Sequence, residues 1–241
     1  MTQIIVPVLK EASRWGPDDP YIPKPHQLAK AIAEHLDVDD ITKDEVDFFA
    51  DRLMDKIESA LMYYQLIMAD DFDDRNISQK RTIYEGLYAN LWSFYKGRVQ
   101  NYLNKMGWDV GFLFCKEENF EKQSSKFIQK NPDHEPIMDY AKKQRDGWQT
   151  KFASSRNIAE HSGDYRDGTE YYDSPDKAKY FFTQVCWSAE TLISYFGSYK
   201  MLPDWNVYEI KPNATIFDRD PRFIVEHALI TNLREGRVKC L

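Results

Sequence analysis

Four long stretches of this chain place apolar side chains at intervals of three and four residues. The first carries Val46, Phe49, Ala50, Leu53, Ile57, Ala60, Leu61, Tyr64 and Met68. The second runs through Ile83, Leu87, Leu91, Tyr95, Val99 and Tyr102 to a stop at Gly107. The third opens near Glu135–Pro136 and continues through Ile137, Ala141, Trp148, Phe152 and Ala159 towards Gly163. The fourth follows Ser174 and Pro175 with Ala178, Phe182, Val185, Ala189, Leu192 and Phe196. A helical period puts each set on one side of its helix. Four one-sided helices must bury their stripes against one another, and short connections make successive helices antiparallel. The pattern predicts an all-α fold, an up-and-down bundle of four or five long helices with short additions.

Local signals refine the boundaries. Thr42 and Glu45 form a capping box for the first long helix, and Ser78 is placed to cap the second. Ser174 with Pro175 at the first helical position opens the last long helix. Gly147 falls inside the third, where glycine costs about 1 kcal/mol against alanine. Shorter helices are expected over 24–37 and over the polar run KEENFEKQSSKFIQKN. Residues 108–115, WDVGFLFC, are apolar without helical period and predict a buried extended connector. Residues 205–217 alternate weakly, as a short hairpin or extended arm does, and Asp220–Pro221 is read as the start of a final helix ending near Leu233. Repeats, low-complexity tracts and linkers are missing. The chain reads as a single domain over 1–241, with its core at about 42–201.

Composition narrows the function. Hydrophobic residues make up 42% of the 241, enough for a folded core. A formal net charge of −7 argues against coating nucleic acid by bulk electrostatics, so any phosphate site must be local. Cys115, Cys186 and Cys240 are odd in number and unpatterned, as in a reduced protein without a disulfide framework or zinc site. The segment MTQIIVPVL has no basic start and too short an apolar run for a signal peptide, and no run reaches the length of a membrane span. The expectation is a soluble, cytoplasmic protein without a membrane partner.

The familiar motifs of phosphate loops, zinc proteases, thiol pairs and serine hydrolases do not occur. The acidic run ADDFDDRN has neither the central glycine nor the distal glutamate of a calcium loop and reads as a solvated helix connection. Asp133, His134 and Glu135 have metal-ligating chemistry, but they also suit the polar start of a helix. No metal and no cofactor is expected.

One hexapeptide combines chemistry with helical spacing. In RNIAEH, Asn157 and His161 stand one turn apart and so share a face, and Arg156 is adjacent. A titratable imidazole, an amide able to orient it and a planar cation shaped for phosphate oxygens thus fall within one turn. Arg145 lies along the stripe leading to Arg156, and Lys151 and Arg166 are near in sequence. The same arginine and histidine also suit a bland helix end: histidine in the last turn complements the dipole, and Gly163 is an ordinary stop. The spacing recurs in RFIVEH at Arg222 and His227, where Phe223, Ile224 and Val225 look like packing residues.

Arg156, Asn157 and His161, late in a long helix of a helical domain, resemble the signature of the HEPN superfamily: arginine, a polar residue, then histidine after a short spacer. The copy at Arg222 departs from it at Phe223. The resemblance covers about 42–201. It implies a homodimer whose two motifs face each other across a cleft. Many members are metal-independent endoribonucleases in phage defence, toxin–antitoxin pairs or RNA processing, and others are inactive scaffolds or nucleotide-binding modules. The implied roles are catalysis for Arg156, Asn157 and His161 and RNA contact for Arg145, Lys151 and Arg166. The implied partners are RNA, a second copy and an antitoxin or other protein. A non-catalytic helical dimer that binds a partner protein or nucleotide is the alternative.

Overall fold

In the computed structural model, residues 4–11, 43–115, 117–161, 174–201, 223–232 and 237–240 are described. Five helices stand among the described residues. Helix α1 is Lys43–Ile67, α2 spans 77–105, α3 is Glu117–Lys130, α4 spans 135–161 and α5 is Pro175–Met201.

Contacts between the four long helices fix their directions. Lys105, at the end of α2, pairs with Glu45 at the start of α1 (3.5 Å), and Arg98 pairs with Asp55 (3.7 Å). Between α2 and α4 the Tyr88 ring meets Phe152 and the Tyr95 ring meets Trp148, so these helices are also antiparallel. Phe152 meets Phe181, whereas His134, just before α4, bonds to Tyr195 near the end of α5. The bundle closes with Tyr64 of α1 against Phe182 of α5. The result is the expected up-and-down arrangement.

The core is the sequence stripe with few changes. Leu53, Ile57, Ala60 and Tyr64 of α1 are buried, as are all six expected residues of α2, all five of α4 and all six of α5. Phe49 and Leu61 are only partly buried, and Met68 departs furthest from the expectation. It is exposed at the end of the stripe, and Ile67 turns inward in its place.

Helix ends follow backbone chemistry. Asn76, not Ser78, caps α2: its side chain accepts from Gln79 N–H at 2.9 Å, and Gln79 Oε1 accepts from Asn76 N–H at 3.1 Å. Ser174 caps α5 as expected, accepting from Lys177 N–H at 3.2 Å. Gly107, with φ 84°, takes the left-handed conformation that ends α2. The proposed cap at Thr42, the short helix over 24–37, the stop at Gly163 and the hairpin over 205–217 lie outside the described residues.

Two expectations are corrected. The connector over 108–115 is not extended: Gly111–Phe114 form a 3₁₀ turn with Leu113 and Phe114 buried. A tight turn lets a short apolar run point several side chains into the core without offering unpaired strand edges. The final helix is likewise absent, because Phe223–Asn232 is a strand, β2. It pairs antiparallel with β1, Ile4–Glu11, and with β3, Arg237–Cys240. A short apolar run satisfies either period, and the β-branched Ile224, Val225, Ile230 and Thr231 favour the pleated backbone. His227 in RFIVEH is thus a strand residue, where a four-residue spacer has no helical meaning.

Each of α2 and α4 contains one π-helical segment, Ser93–Val99 and Arg145–Gln149. The two segments meet. Tyr95 stacks at an angle on Trp148 with centroids 5.4 Å apart and accepts a hydrogen bond from Gln149 Nε2 at 2.8 Å. Burial pushes the Tyr95 hydroxyl far above the usual phenol range, so it stays neutral there.

Two glycines give opposite predictions. A Cβ at Gly86 would lie 2.4 Å from the Tyr63 ring, whereas one at Gly147 meets nothing within 4 Å. Urea denaturation should therefore show Gly147→Ala stabilising by about 0.5–1 kcal/mol. Gly86→Ala should destabilise by about 1 kcal/mol, because displacing the Tyr63 ring outweighs the gain in helix propensity. Stabilisation by both would show that α1 and α2 do not pack at this distance.

Candidate functional site

The last two turns of α4 carry the hexapeptide. Ser155 and Ala159 are buried, which turns the adjacent Arg156 to the edge of the bundle and Asn157 and Glu160 outward. Arg156 remains partly exposed and Asn157 is exposed. His161 is the final residue of α4, one turn beyond Asn157, and its side chain lies outside the described residues.

Arg156 is held from two sides. Its guanidinium is forked onto Glu160 of the next turn, with Nε donating to Oε1 at 2.8 Å and Nη2 donating to Oε2. The same group lies 5.4 Å from the centre of the Trp92 ring. The Glu160 carboxylate pushes the guanidinium further above its ordinary value, so the cation is permanent. Lys96 lies 5.6 Å from the same indole. A partly buried tryptophan with two cations over it, one neutralised by a carboxylate, forms the described surface beside Arg156.

The other expected residues separate from this spot. Arg145 sits eleven residues earlier, about 16 Å along the helix axis. Its side chain is buried and committed: it donates to Asp146 Oδ1 at 2.9 and 3.0 Å, pairs with Glu121 at 3.6 Å and lies 4.4 Å from the Phe120 ring centre. Glu121 also binds Lys142 at 2.6 Å, a contact that lowers the carboxyl's pKa and raises the ammonium's. Arg145 thus ties α3 to α4. Lys151 is exposed, but five residues before Arg156 it points about 140° away around the helix. Arg166 lies outside the described residues.

Two partners of Arg156 were not singled out from the sequence. Glu160 stands four residues after it, the spacing of a helical ion pair, so that signal was present. Trp92 comes from another helix, and no local pattern announces it. His134 stands at the start of α4, as read from the sequence, and it is buried there, with Nδ1 2.9 Å from the Tyr195 hydroxyl and its ring against Trp108 and Phe196. The acidic connection behaves as expected, with Asp71 paired to Arg75 at 3.2 Å.

Among the described residues no group of histidine, cysteine or acidic side chains could hold a metal ion, and no helix is long and apolar enough to cross a membrane. No family model, curated protein or solved structure matches this chain.

The two arginines predict different costs. Arg145→Ala should destabilise by about 2–4 kcal/mol, since it removes a buried guanidinium with its stacking and ion pairs. Glu160→Gln should shift stability by less than about 1 kcal/mol, because its pair is partly solvated. Chemical denaturation of both variants checks this. Equal costs would mean that Arg145 is not the clamp.

Proposed function

We propose that this chain is a metal-independent endoribonuclease of the HEPN type, working as a cytoplasmic homodimer. The observation that carries the reading is the Arg156–Asn157–His161 sequence on the terminal turns of a long helix in an up-and-down bundle, with Arg156 and Asn157 reachable from solvent.

The chemistry needs few parts. The ribose 2′-hydroxyl attacks the adjacent phosphorus and loses its proton to a base. The phosphorane collapses, the P–O5′ bond breaks, and an acid protonates the leaving oxygen. The products are a 2′,3′-cyclic phosphate and a 5′-hydroxyl. Imidazole titrates near neutrality and serves either role. Arg156 answers the charge that builds on the phosphorane, and Asn157 orients the imidazole or a phosphate oxygen. One His161 does not act as base and acid in the same step, and two-fold symmetry supplies the second. Lys151 and Arg166 are the remaining candidates for contact with the RNA strand, and Arg145 would contribute only through the helix it anchors.

Glu160 favours a second reading. A carboxylate already forked onto Arg156 competes with any phosphate. If that pair persists, the chain is a non-catalytic helical dimer that binds a partner protein, such as an antitoxin, or a nucleotide.

Purified protein incubated with mixed single-stranded RNA in EDTA separates the two. Cleavage with cyclic-phosphate ends is expected. His161→Ala should lose about 10²–10⁴ in rate, and Arg156→Ala a comparable amount. Arg156→Lys should rescue poorly because a point charge replaces a planar fork, and Asn157→Ala should be milder. Glu160→Gln should raise cleavage by freeing the guanidinium, and His227→Ala should leave it near wild type. RNA left intact by the wild type, or cut equally well by His161→Ala, removes the enzyme in favour of the binding module.

A further inference from the structure

Two buried polar atoms of α5 lack a partner where α2, α4 and α5 meet. Gln184 is 2% exposed and Ser188 0%, and among the described residues nothing completes a hydrogen bond to Gln184 Oε1 or Ser188 Oγ. Left bare, an atom of this kind lowers the folding equilibrium constant about tenfold or more. Buried polar atoms in folded proteins nearly always have a partner, in the chain or in ordered water.

The neighbours of α5 show which way the two side chains face. Phe181 meets Phe152 of α4, and Tyr195 bonds to His134 just before α4. Phe181, Gln184, Ser188, Thr191 and Tyr195 follow at intervals of three and four, a single stripe along the helix, and all five are buried. Gln184 and Ser188 fall between the two contacts, so they face the middle of α4, where the helix takes its π-helical turn at Arg145–Gln149. Tyr95 of α2 reaches the same place. Burial raises its pKa most, and Ser188 stands near enough to the hydroxyl to pull it back. Gln149 Nε2 donates to that hydroxyl at 2.8 Å, which leaves the Tyr95 proton to be given elsewhere.

We propose that one buried water is a fixed part of this junction, donating to Gln184 Oε1 and accepting from the Ser188 and Tyr95 hydroxyls. Side chains one helical turn apart stand about 5–6 Å from each other at Cβ. A single water spans such a gap with two hydrogen bonds of about 2.8 Å. The amide oxygen can only accept, and both hydroxyls have a proton to give, so each group finds the partner it needs. Three hydrogen bonds are the usual complement of an internal water. An ion does not suit the place, since Gln184, Ser188, Tyr95 and Gln149 are all neutral. The water joins α5 to the contact between the π-helical turns of α2 and α4, and its presence does not depend on the ribonuclease reading.

Urea denaturation of the full chain with Gln184→Met, Ser188→Ala and both together tests the assignment. Each single replacement takes a partner from the water, so each should lower the urea midpoint. The double variant has no orphaned atom left to serve, so its loss should be clearly smaller than the sum of the two. Without a water the sign reverses: each replacement removes an unpaired polar atom from the core, and both should raise the midpoint. Oxygen-17 relaxation dispersion reads the water directly. The wild type should hold one more long-lived internal water than Ser188→Ala or the double variant, and this comparison serves even where Gln184→Met fails to fold. Raised midpoints, losses that simply add, or the same number of long-lived waters in wild type and Ser188→Ala each overturn the proposal.

Discussion

The contact between α2 and α4 at their π-helical turns sets the geometry of the candidate site. Tyr95 is fully buried, and its only polar atom is satisfied by Gln149 across the helix interface. A buried hydroxyl of this kind tolerates little sliding, because losing its partner costs about 1–3 kcal/mol. With Tyr95 and Trp148 in register, Phe152 falls one turn further along α4, among Tyr88, Trp92 and Phe181. Another turn along, Arg156 reaches the Trp92 indole. The chain of contacts runs from a hydrogen bond in the core to a cation at the rim.

The same helix is fastened differently at its start. Arg145 ties it to α3 through Glu121 and Phe120, and His134 ties the turn before it to Tyr195 of α5. Polar side chains thus grip α4 on two sides near its origin, whereas its last turns rest on aromatic packing and the Arg156–Glu160 pair. The helix is anchored where it begins and carries the candidate residues where it ends. Rigid elements hold functional groups to closer tolerances than loops do.

Much of the bundle could be read from the chain because its cause is local. Leu87, Leu91, Tyr95, Val99 and Tyr102 repeat at the helical period, and each is buried. The failures have a common origin in competition between local patterns. WDVGFLFC lacks a period, and a 3₁₀ turn buries it as well as a strand would. FIVEHALI fits either period, and strand pairing decides. The candidate site was legible in one dimension only. Arg156, Asn157 and the i+4 glutamate share a helix and could be placed from spacing, but Trp92 beneath Arg156 depends on how two helices pack. Arg145 shows the reverse case: on the helix it follows the stripe towards Arg156, and only the tertiary contact with α3 reveals that its charge is already spent.

The forked pair between Arg156 and Glu160 has an electrostatic consequence for any anionic partner. Two opposite charges so close form a dipole, and beyond a Debye length of about 8 Å at physiological salt the pair is nearly invisible. An approaching polyanion meets first the field of a chain whose formal net charge is −7. Long-range attraction then contributes nothing to the encounter, and association proceeds without electrostatic acceleration. Selectivity must arise after contact, in the exchange of one anionic partner of the guanidinium for another. Such a surface is quiet towards polyanions in bulk, and only an anion placed well enough to displace the carboxylate would reach the guanidinium.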